Sequence, residues 1–244
     1  MQQIKSDLSK GVLTLTLSRG EKLNALNTDM YTTLSDCLER ADRDSEVSVV
    51  LLNAEGDAFC AGNDIGDFLR GDESVSKAIL RFIKILTEME VPIVAAVQGA
   101  AVGIGTTMLL HCDQVFASTH AGFSMPFIDH GLCPEAGSSQ LLPQLMGYQR
   151  AAEWLMSGRR MSALEARDVG LVLQICKPDE LQRQASGAAR DLSAKPRAAL
   201  RATKRLLRRA GEPMNKRVAV EADTFRDLLS SEEARRLLEM TGKG

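Results

Sequence analysis

Apolar runs of two kinds predict strands along the chain. Residues 12–17 alternate apolar and polar side chains, which is typical of a strand with one buried face. Residues 93–97 are apolar without interruption and predict a strand that is buried on both faces. Shorter runs predict three more strands, at residues 47–52, 115–117 and 171–175.

Apolar residues spaced three and four apart predict helices between these strands. Thr28 is the predicted N-cap of one helix, and the apolar face of that helix has four members: Tyr31, Leu34, Leu38 and Ala41. A second ends before Pro92, and its face has six members: Val75, Ile79, Phe82, Ile83, Leu86 and Met89. Residues 106–111 also have a helical pattern. Ser162 and Glu165 match a capping box, which predicts a short helix after Ser162.

The order of these elements predicts the fold class. Strands and helices alternate through most of the chain, which favours an α/β domain with a largely parallel sheet. From residue 178 onward the pattern is helical, and Pro196 suits the start of a helix. We therefore expect a core over residues 1–190 and a C-terminal helical region over residues 191–244.

Composition excludes several classes of partner. The 244 residues are 44% hydrophobic, and 30 Lys and Arg nearly balance 32 Asp and Glu. This balance argues against nucleic acid as the main partner. No apolar run approaches the roughly 20 residues that span a bilayer, so we expect no membrane partner. Five scattered cysteines show no metal-binding spacing, and residues 1–10 show no signal-peptide pattern. We expect a cytoplasmic protein without a metal site.

Three segments carry candidate chemistry: residues 59–64 (Phe-Cys-Ala-Gly-Asn-Asp), 98–105 (Gln-Gly-Ala-Ala-Val-Gly-Ile-Gly) and 132–139 (Leu-Cys-Pro-Glu-Ala-Gly-Ser-Ser). The second lies between a predicted strand and a helix, where glycine-rich turns can bind phosphate. Its dinucleotide fingerprint is incomplete, because Met108 occupies the position of the third glycine. The alternative is that these glycines only permit a tight turn.

Together the three segments resemble the crotonase (enoyl-CoA hydratase/isomerase) superfamily. The A-G-x-D turn of that family is similar to residues 61–64, and its G-x-G turn is similar to residues 103–105. Three further segments fit the family: the N-A-L motif at residues 24–26, Cys112-Asp113, and the A-x-x-x-G-L-V motif at residues 166–172. The resemblance implies a crotonase-like ββα spiral core with a C-terminal helical region. It also implies a homotrimer or hexamer, with the C-terminal helices at the interface.

The resemblance implies how the site binds an acyl-CoA thioester. The amides of Ala61 and Ile104 would form an oxyanion hole for the enolate, and coenzyme A would enter only as part of the substrate, with no separate cofactor. Asp64 is expected to order its own loop through backbone hydrogen bonds. The predicted substrate-binding residues are Lys22, Leu23, Ala25, Gly62, Asn63, Asp64, Ile65, Gly103, Thr107, Phe127 and Pro134.

The pattern of carboxylates separates hydration from isomerisation. Hydratases of the family use two glutamates, and this sequence has Thr107 and Phe127 at those positions. Hydration takes a proton from water and gives one to the α-carbon, so their absence counts against it. Glu135 instead resembles the base of Δ3,Δ2-enoyl-CoA isomerases of the peroxisomal type. A single glutamate would then convert a 3-enoyl-CoA to the trans-2-enoyl-CoA through a dienolate.

Other interpretations stay open at this point. Glu135 could simply favour a helix N-terminus, and Asp129, His130 and His111 are expected to be structural or, for the first two, substrate-facing. The chain could catalyse another crotonase reaction, such as hydration, or bind acyl-CoA without catalysis. Four basic residues near the C-terminus could contact the CoA phosphates or form a solvated helix face: Lys204, Arg205, Arg208 and Arg209.

Overall fold

The computed structural model describes residues 2–70, 73–208 and 211–241. Its strands are β1 (Ile4–Ser9), β2 (Val12–Leu17), β3 (Val49–Ala54), β4 (Ile93–Val97), β5 (Ala100–Val102), β6 (Gln114–Ser118), β7 (Gly122–Ser124), β8 (Met161–Ser162) and β9 (Gln174–Cys176). The larger sheet has the order β1-β2-β3-β4-β6-β9, and all its pairs are parallel except β1 with β2. A smaller sheet has the order β5-β7-β8.

Helices alternate with these strands and then follow them. They are α1 (Thr28–Arg43), α2 (Ile65–Leu69), α3 (Glu73–Glu88), α4 (Ile104–Thr107), α5 (Ser138–Met146), α6 (Tyr148–Ser157), α7 (Ala163–Asp168), α8 (Leu181–Ser193), α9 (Arg197–Leu207), α10 (Met214–Leu229) and α11 (Glu232–Thr241). This arrangement confirms the predicted α/β class with a helical C-terminal region. Within the described residues, none of the helices combines the length and apolarity that crossing a membrane requires.

Strand β4 is buried on both faces, as its continuous apolar run predicts. Ile93, Ala95 and Val97 face the larger core, which also contains the apolar faces of α1 and α3. Val94 and Ala96 face a smaller core, against helix α8. Burial of each valine or isoleucine stabilises the fold by about 1.5–3 kcal/mol. This central strand therefore stabilises the packing on both faces of the sheet.

The start of α1 differs by one residue from the prediction. Asn27, not Thr28, is the N-cap, because the Asn27 side chain accepts a hydrogen bond from Met30 N at 2.9 Å. The Thr28 amide instead donates to the Asp67 carboxylate at 2.9 Å, which ties α1 to α2. The capping box of Ser162 is confirmed, with both of its reciprocal hydrogen bonds present.

Other predicted boundaries are wrong in part. Strand β1 has no counterpart in the prediction, since only Ile4 on it is buried. The predicted strand over residues 171–175 begins at Gln174. The predicted helix over residues 106–111 is helix α4 followed by a 3-10 turn, Met108–His111. The predicted boundary at residue 190 falls inside α8, which packs on the larger sheet.

Neither interpretation of the C-terminal basic residues fits Lys204 and Arg208. Lys204 is 4% exposed, and its ammonium donates to Asp113 at 2.7 Å and to Val91 O at 2.8 Å. Arg208 donates to backbone carbonyls, including that of Leu86 at 3.0 Å. Both side chains therefore attach the C-terminal helices to the core. Arg209 lies outside the described residues.

Candidate active site

The two glycine-rich turns of residues 59–64 and 98–105 pack against each other. Cys60 N donates to Ala100 O at 3.1 Å, and Val102 N donates to Cys60 O at 2.9 Å. A Cβ on Gly62 would lie 3.2 Å from Val102 O, and one on Gly105 would lie 2.5 Å from Cys60 O. The close approach of the turns therefore depends on these glycines.

The amide of Ala61 is already hydrogen-bonded, to Leu23 O at 3.0 Å. It is therefore not free to bind a substrate oxygen, contrary to the expectation from the resemblance. Leu26 N donates to Gly62 O and Leu26 O accepts from Asp64 N, both at 2.8 Å. The residue between them, Asn63, therefore has its own N–H directed away from Leu26.

The candidate donors in these turns are the amides of Asn63 and Ile104. Neither Asn63 N nor Ile104 N has a backbone acceptor within the described part of the chain. Ile104 N is the first amide of α4, where a helix has no internal partner for it. Asn63 thus replaces Ala61 as the candidate first donor, and Ile104 stays the second. The sequence pattern does not reveal which amides are occupied, since every residue here carries one.

The loop that precedes α1 is fastened to the first of these turns. Arg19 forms an ion pair with Asp64 at 2.7 Å and donates to Ala25 O at 2.9 Å. The Arg19 guanidinium holds the pKa of the Asp64 carboxyl below its usual range. Asp64 also accepts from Asp67 N at 3.2 Å, which confirms that it orders its own loop. Asn24 is fully buried and bonds to three backbone groups.

The predicted substrate-binding residues divide by exposure. Lys22, Leu23 and Ile65 are exposed at the rim of the turns, and Ala25 is half-buried beneath them. Phe127 lies against Gly103, because a Cβ there would be 3.9 Å from Phe127 Cε1. The other predicted residues are buried or half-buried: Gly62, Asn63, Asp64, Gly103, Thr107 and Pro134.

Tyr31 enters the site, although the sequence pattern predicts only a core position for it. It is 1% exposed, and its hydroxyl donates to Asn63 Oδ1. Burial raises the pKa of Tyr31, and the nearby Cys60 and Glu135 raise it further, so the phenol stays protonated. A buried tyrosine usually finds a partner for its hydroxyl, and that rule is the signal that could have located this contact.

Glu135 is half-buried and has two unlike carboxylate oxygens. Oε1 accepts a hydrogen bond from the Thr107 hydroxyl. Oε2 is buried without a hydrogen-bond partner in the described part of the chain. Burial raises the pKa of Glu135, while the Thr107 hydroxyl opposes this rise. Ser138 holds the backbone below, because its hydroxyl donates to Glu135 O at 2.6 Å. The geometry provides one basic oxygen in a poorly solvated position.

The histidines near the site have structural contacts. His111 is 6% exposed, and its Nε2 donates to Ala136 O at 2.8 Å, which confirms a satisfied buried histidine. Burial lowers the pKa of His111, and the charges of Arg208 and Lys204 add to this effect. His130 is exposed, and its Nδ1 lies 2.7 Å from Pro126 O. Among the described residues, neither ring is hydrogen-bonded to the Glu135 carboxylate.

Comparisons with known proteins identify the family of the chain. Residues 7–242 match the family described as enoyl-CoA hydratase/isomerase. The 1,2-epoxyphenylacetyl-CoA isomerase of Escherichia coli (strain K12) is 33% identical, over 100% of both chains. Enoyl-CoA delta isomerase 2 of Rattus norvegicus is 33% identical over 82% of this chain and 52% of its own.

A solved structure from Magnetospirillum magneticum AMB-1, proposed to be an enoyl-CoA hydratase/carnithine racemase, superposes with a TM-score of 0.95. It is 38% identical over 100% of this chain and 96% of its own. The family match covers nearly the whole sequence, and the structural match covers the whole fold. The chain therefore belongs to the enoyl-CoA hydratase/isomerase family and is a crotonase-fold enzyme of that family.

Proposed function

We propose that this enzyme isomerises a 3-enoyl-CoA to the trans-2-enoyl-CoA, with Glu135 as the base and then the acid. The observation that carries the proposal is the half-buried Glu135 carboxylate, with Oε1 held by Thr107 and Oε2 without a hydrogen-bond partner among the described residues. Thr107 and Phe127 occupy the positions where family hydratases have glutamates, so a second acid for hydration is lacking there.

The reaction balances with this one group. Glu135 Oε2 takes a proton from C2, and the electrons of the C–H bond form a dienolate whose charge reaches the thioester oxygen. The amides of Asn63 and Ile104 would stabilise that oxygen, and each such donor is worth about 10²–10³ in rate. Protonated Glu135 then gives the proton to C4, so the double bond moves from C3–C4 to C2–C3 and the carboxylate is restored.

The surroundings of Glu135 support this role. Burial raises its pKa, which makes the carboxylate a stronger base when it is ionised. Tyr31 interacts electrostatically with both Glu135 and Cys60, and burial raises the pKa of the Tyr31 phenol and that of the Cys60 thiol, the latter to about 12. Both therefore remain neutral at physiological pH and do not repel the carboxylate.

A second candidate is an isomerisation of a different acyl-CoA. The similarity to the 1,2-epoxyphenylacetyl-CoA isomerase, which covers both chains completely, favours this alternative over hydration. A ring-bearing acyl-CoA belongs in the substrate panel for that reason. The expected homotrimer or hexamer, acyl-CoA as the ligand and the cytoplasmic location are part of the same proposal. Exposed Val218, Phe225 and Leu229 along α10 support the assembly.

Turnover of 3-enoyl-CoAs tests the proposal, followed by the ultraviolet absorbance of the conjugated 2-enoyl thioester. We expect Glu135→Gln to lose nearly all of the wild-type kcat, because the amide cannot accept the C2 proton. Glu46→Gln, an exposed change away from the site, is the matched control and should keep full activity. No wild-type turnover across short and long acyl chains would sink the proposal, and full turnover in Glu135→Gln would exclude Glu135 as the base.

A further inference from the structure

Ala136, the residue after the proposed base, has a left-handed backbone conformation. Its φ is +51°, and that of Gly137 is +72°. Glycine adopts this region freely, whereas the Cβ of an alanine is crowded there. The surrounding contacts therefore hold Ala136 in place against its own preference. Backbone strain of this kind beside a reactive group points to a functional constraint.

His111 supplies one of the contacts that hold Ala136. Its Nε2 lies 2.8 Å from Ala136 O, and because a carbonyl oxygen only accepts, Nε2 carries the hydrogen. His111 and Ala136 are each 6% exposed, so water has little access to this bond. A hydrogen bond in such a position is costly to lose, since the carbonyl would be left buried without a donor.

Arg208 anchors the backbone of His111. Its guanidinium donates to His111 O, and also to Leu86 O at 3.0 Å and Met89 O at 3.1 Å. The main chain at His111 is therefore fixed to the C-terminal helices while the ring reaches the loop of the proposed base.

One short segment carries three contacts toward the site. Ile104 begins it with an amide that has no backbone acceptor among the described residues. Thr107 donates to the Glu135 carboxylate, and His111 donates to the next carbonyl along that loop. Thr107 ends α4 and His111 ends the 3-10 turn that follows it, and their side chains contact the neighbouring residues Glu135 and Ala136. Glu135 is thus held both at its carboxylate and at the backbone that follows it.

We propose that His111 is a positioning residue for Glu135. Its bond to Ala136 O keeps Ala136 left-handed, and this conformation keeps the carboxylate beside Thr107. The inference rests on the proposed role of Glu135 as the base. His111 itself contacts no substrate and transfers no proton.

The test compares His111→Leu with His111→Gln, each alone and combined with Ala136→Gly. Glutamine carries an amide donor at a similar reach, and leucine carries none. We expect His111→Leu to lower kcat about tenfold with little change in KM. Tenfold is about the factor by which alanine disfavours the left-handed region. His111→Gln should keep most of kcat. With Ala136→Gly the loss from His111→Leu should shrink to about twofold, because glycine keeps the conformation without the bond.

A crystal structure of His111→Leu gives a readout that does not depend on turnover. A negative φ at Ala136 with Glu135 displaced from Thr107 would support the inference even if the wild type fails to turn over 3-enoyl-CoA. An unchanged loop would overturn it, as would equal losses of kcat with and without Ala136→Gly. His111→Phe, which keeps a ring in the buried position, replaces His111→Leu if circular dichroism shows that the leucine variant is unfolded.

Discussion

Gly105 cannot carry a side chain unless the neighbouring turn moves. A Cβ at this position would lie 2.5 Å from Cys60 O and 2.9 Å from Cys60 Cβ. Cys60 is fully buried, and its carbonyl is bonded to Val102 N, so neither atom can swing aside alone. Ordinary van der Waals contact begins at 3.4 Å, so in Gly105→Ala the two turns would have to separate by about 0.9 Å.

The size of this shift sets the expected losses of stability and of activity. Overpacking of a well-packed interior costs about 1–3 kcal/mol of unfolding free energy. Each kcal/mol lowers the Tm by about 2–4 °C in a chain of this size. Activity should suffer more, because Ile104, whose amide is a proposed donor, directly precedes Gly105. A misplacement near 1 Å can cost about 10²-fold, so we expect kcat of Gly105→Ala to fall by about that factor.

Calorimetry and steady-state kinetics on a 3-enoyl-CoA measure both losses. The matched control is Gly187→Ala in helix α8, where the nearest atom to the added Cβ is Arg190 Nη2 at 3.9 Å. That change should stabilise the protein by about 0.4–1 kcal/mol and leave kcat unchanged. A Gly105→Ala enzyme with wild-type Tm and kcat would refute the packing of the two turns. A lower Tm with unchanged kcat would refute the role of Ile104 as a donor.

Two further predictions concern charge. The Thr107 hydroxyl opposes the rise in the pKa of Glu135, so Thr107→Val should move the acid limb of the kcat–pH profile to higher pH; a limb that stays or moves down would contradict this hydrogen bond. The Arg19 guanidinium lowers the pKa of Asp64, so this pair stabilises the fold above the ordinary carboxyl pKa and loses that contribution as pH falls through the lowered pKa. Asp64→Asn should therefore lower the free energy of unfolding by about 1–2 kcal/mol at pH 7, measured by chemical denaturation. The difference between wild type and variant should become smaller below about pH 4. Glu73→Gln, which breaks an exposed ion pair, is the control and should change stability by less than about 0.5 kcal/mol. Equal losses of stability in Asp64→Asn and Glu73→Gln would contradict a stabilising role of the Arg19–Asp64 pair.

Those elements that bury a periodic apolar face could be predicted from the sequence. Strand β4 and helices α1 and α3 are of this kind, because their apolar spacing reflects which side chains leave water. Strand β1 could not be found in this way. Its backbone pairs with β2 along its whole length, yet only Ile4 of its side chains is buried. Pairing without burial leaves no hydrophobic pattern.

The candidate site was predictable in its segments but less so in its contacts. Motif resemblance located Glu135 and the two turns, whereas the occupied amide of Ala61 depends on a carbonyl at Leu23 that no motif records. The contacts of polar groups at core positions could not be predicted from the sequence either. The helical spacing predicts that Tyr31 is buried but not that its hydroxyl meets Asn63. Buried Lys204 likewise pairs with Asp113, which is distant in sequence.

Backbone groups and side chains have different roles in the proposed site, and this difference determines which positions tolerate substitution. A backbone donor tolerates different side chains, so the amide at position 104 does not depend on the isoleucine side chain. Glycine is required instead where turns touch. A Cβ on Gly99 would lie 1.8 Å from Asp57 O, a more severe collision than that at Gly105. Since the proposed oxyanion hole uses main-chain groups, its geometry depends on residues that have no side chain. The proposed proton transfer depends on one side chain, Glu135, and on the groups that orient it.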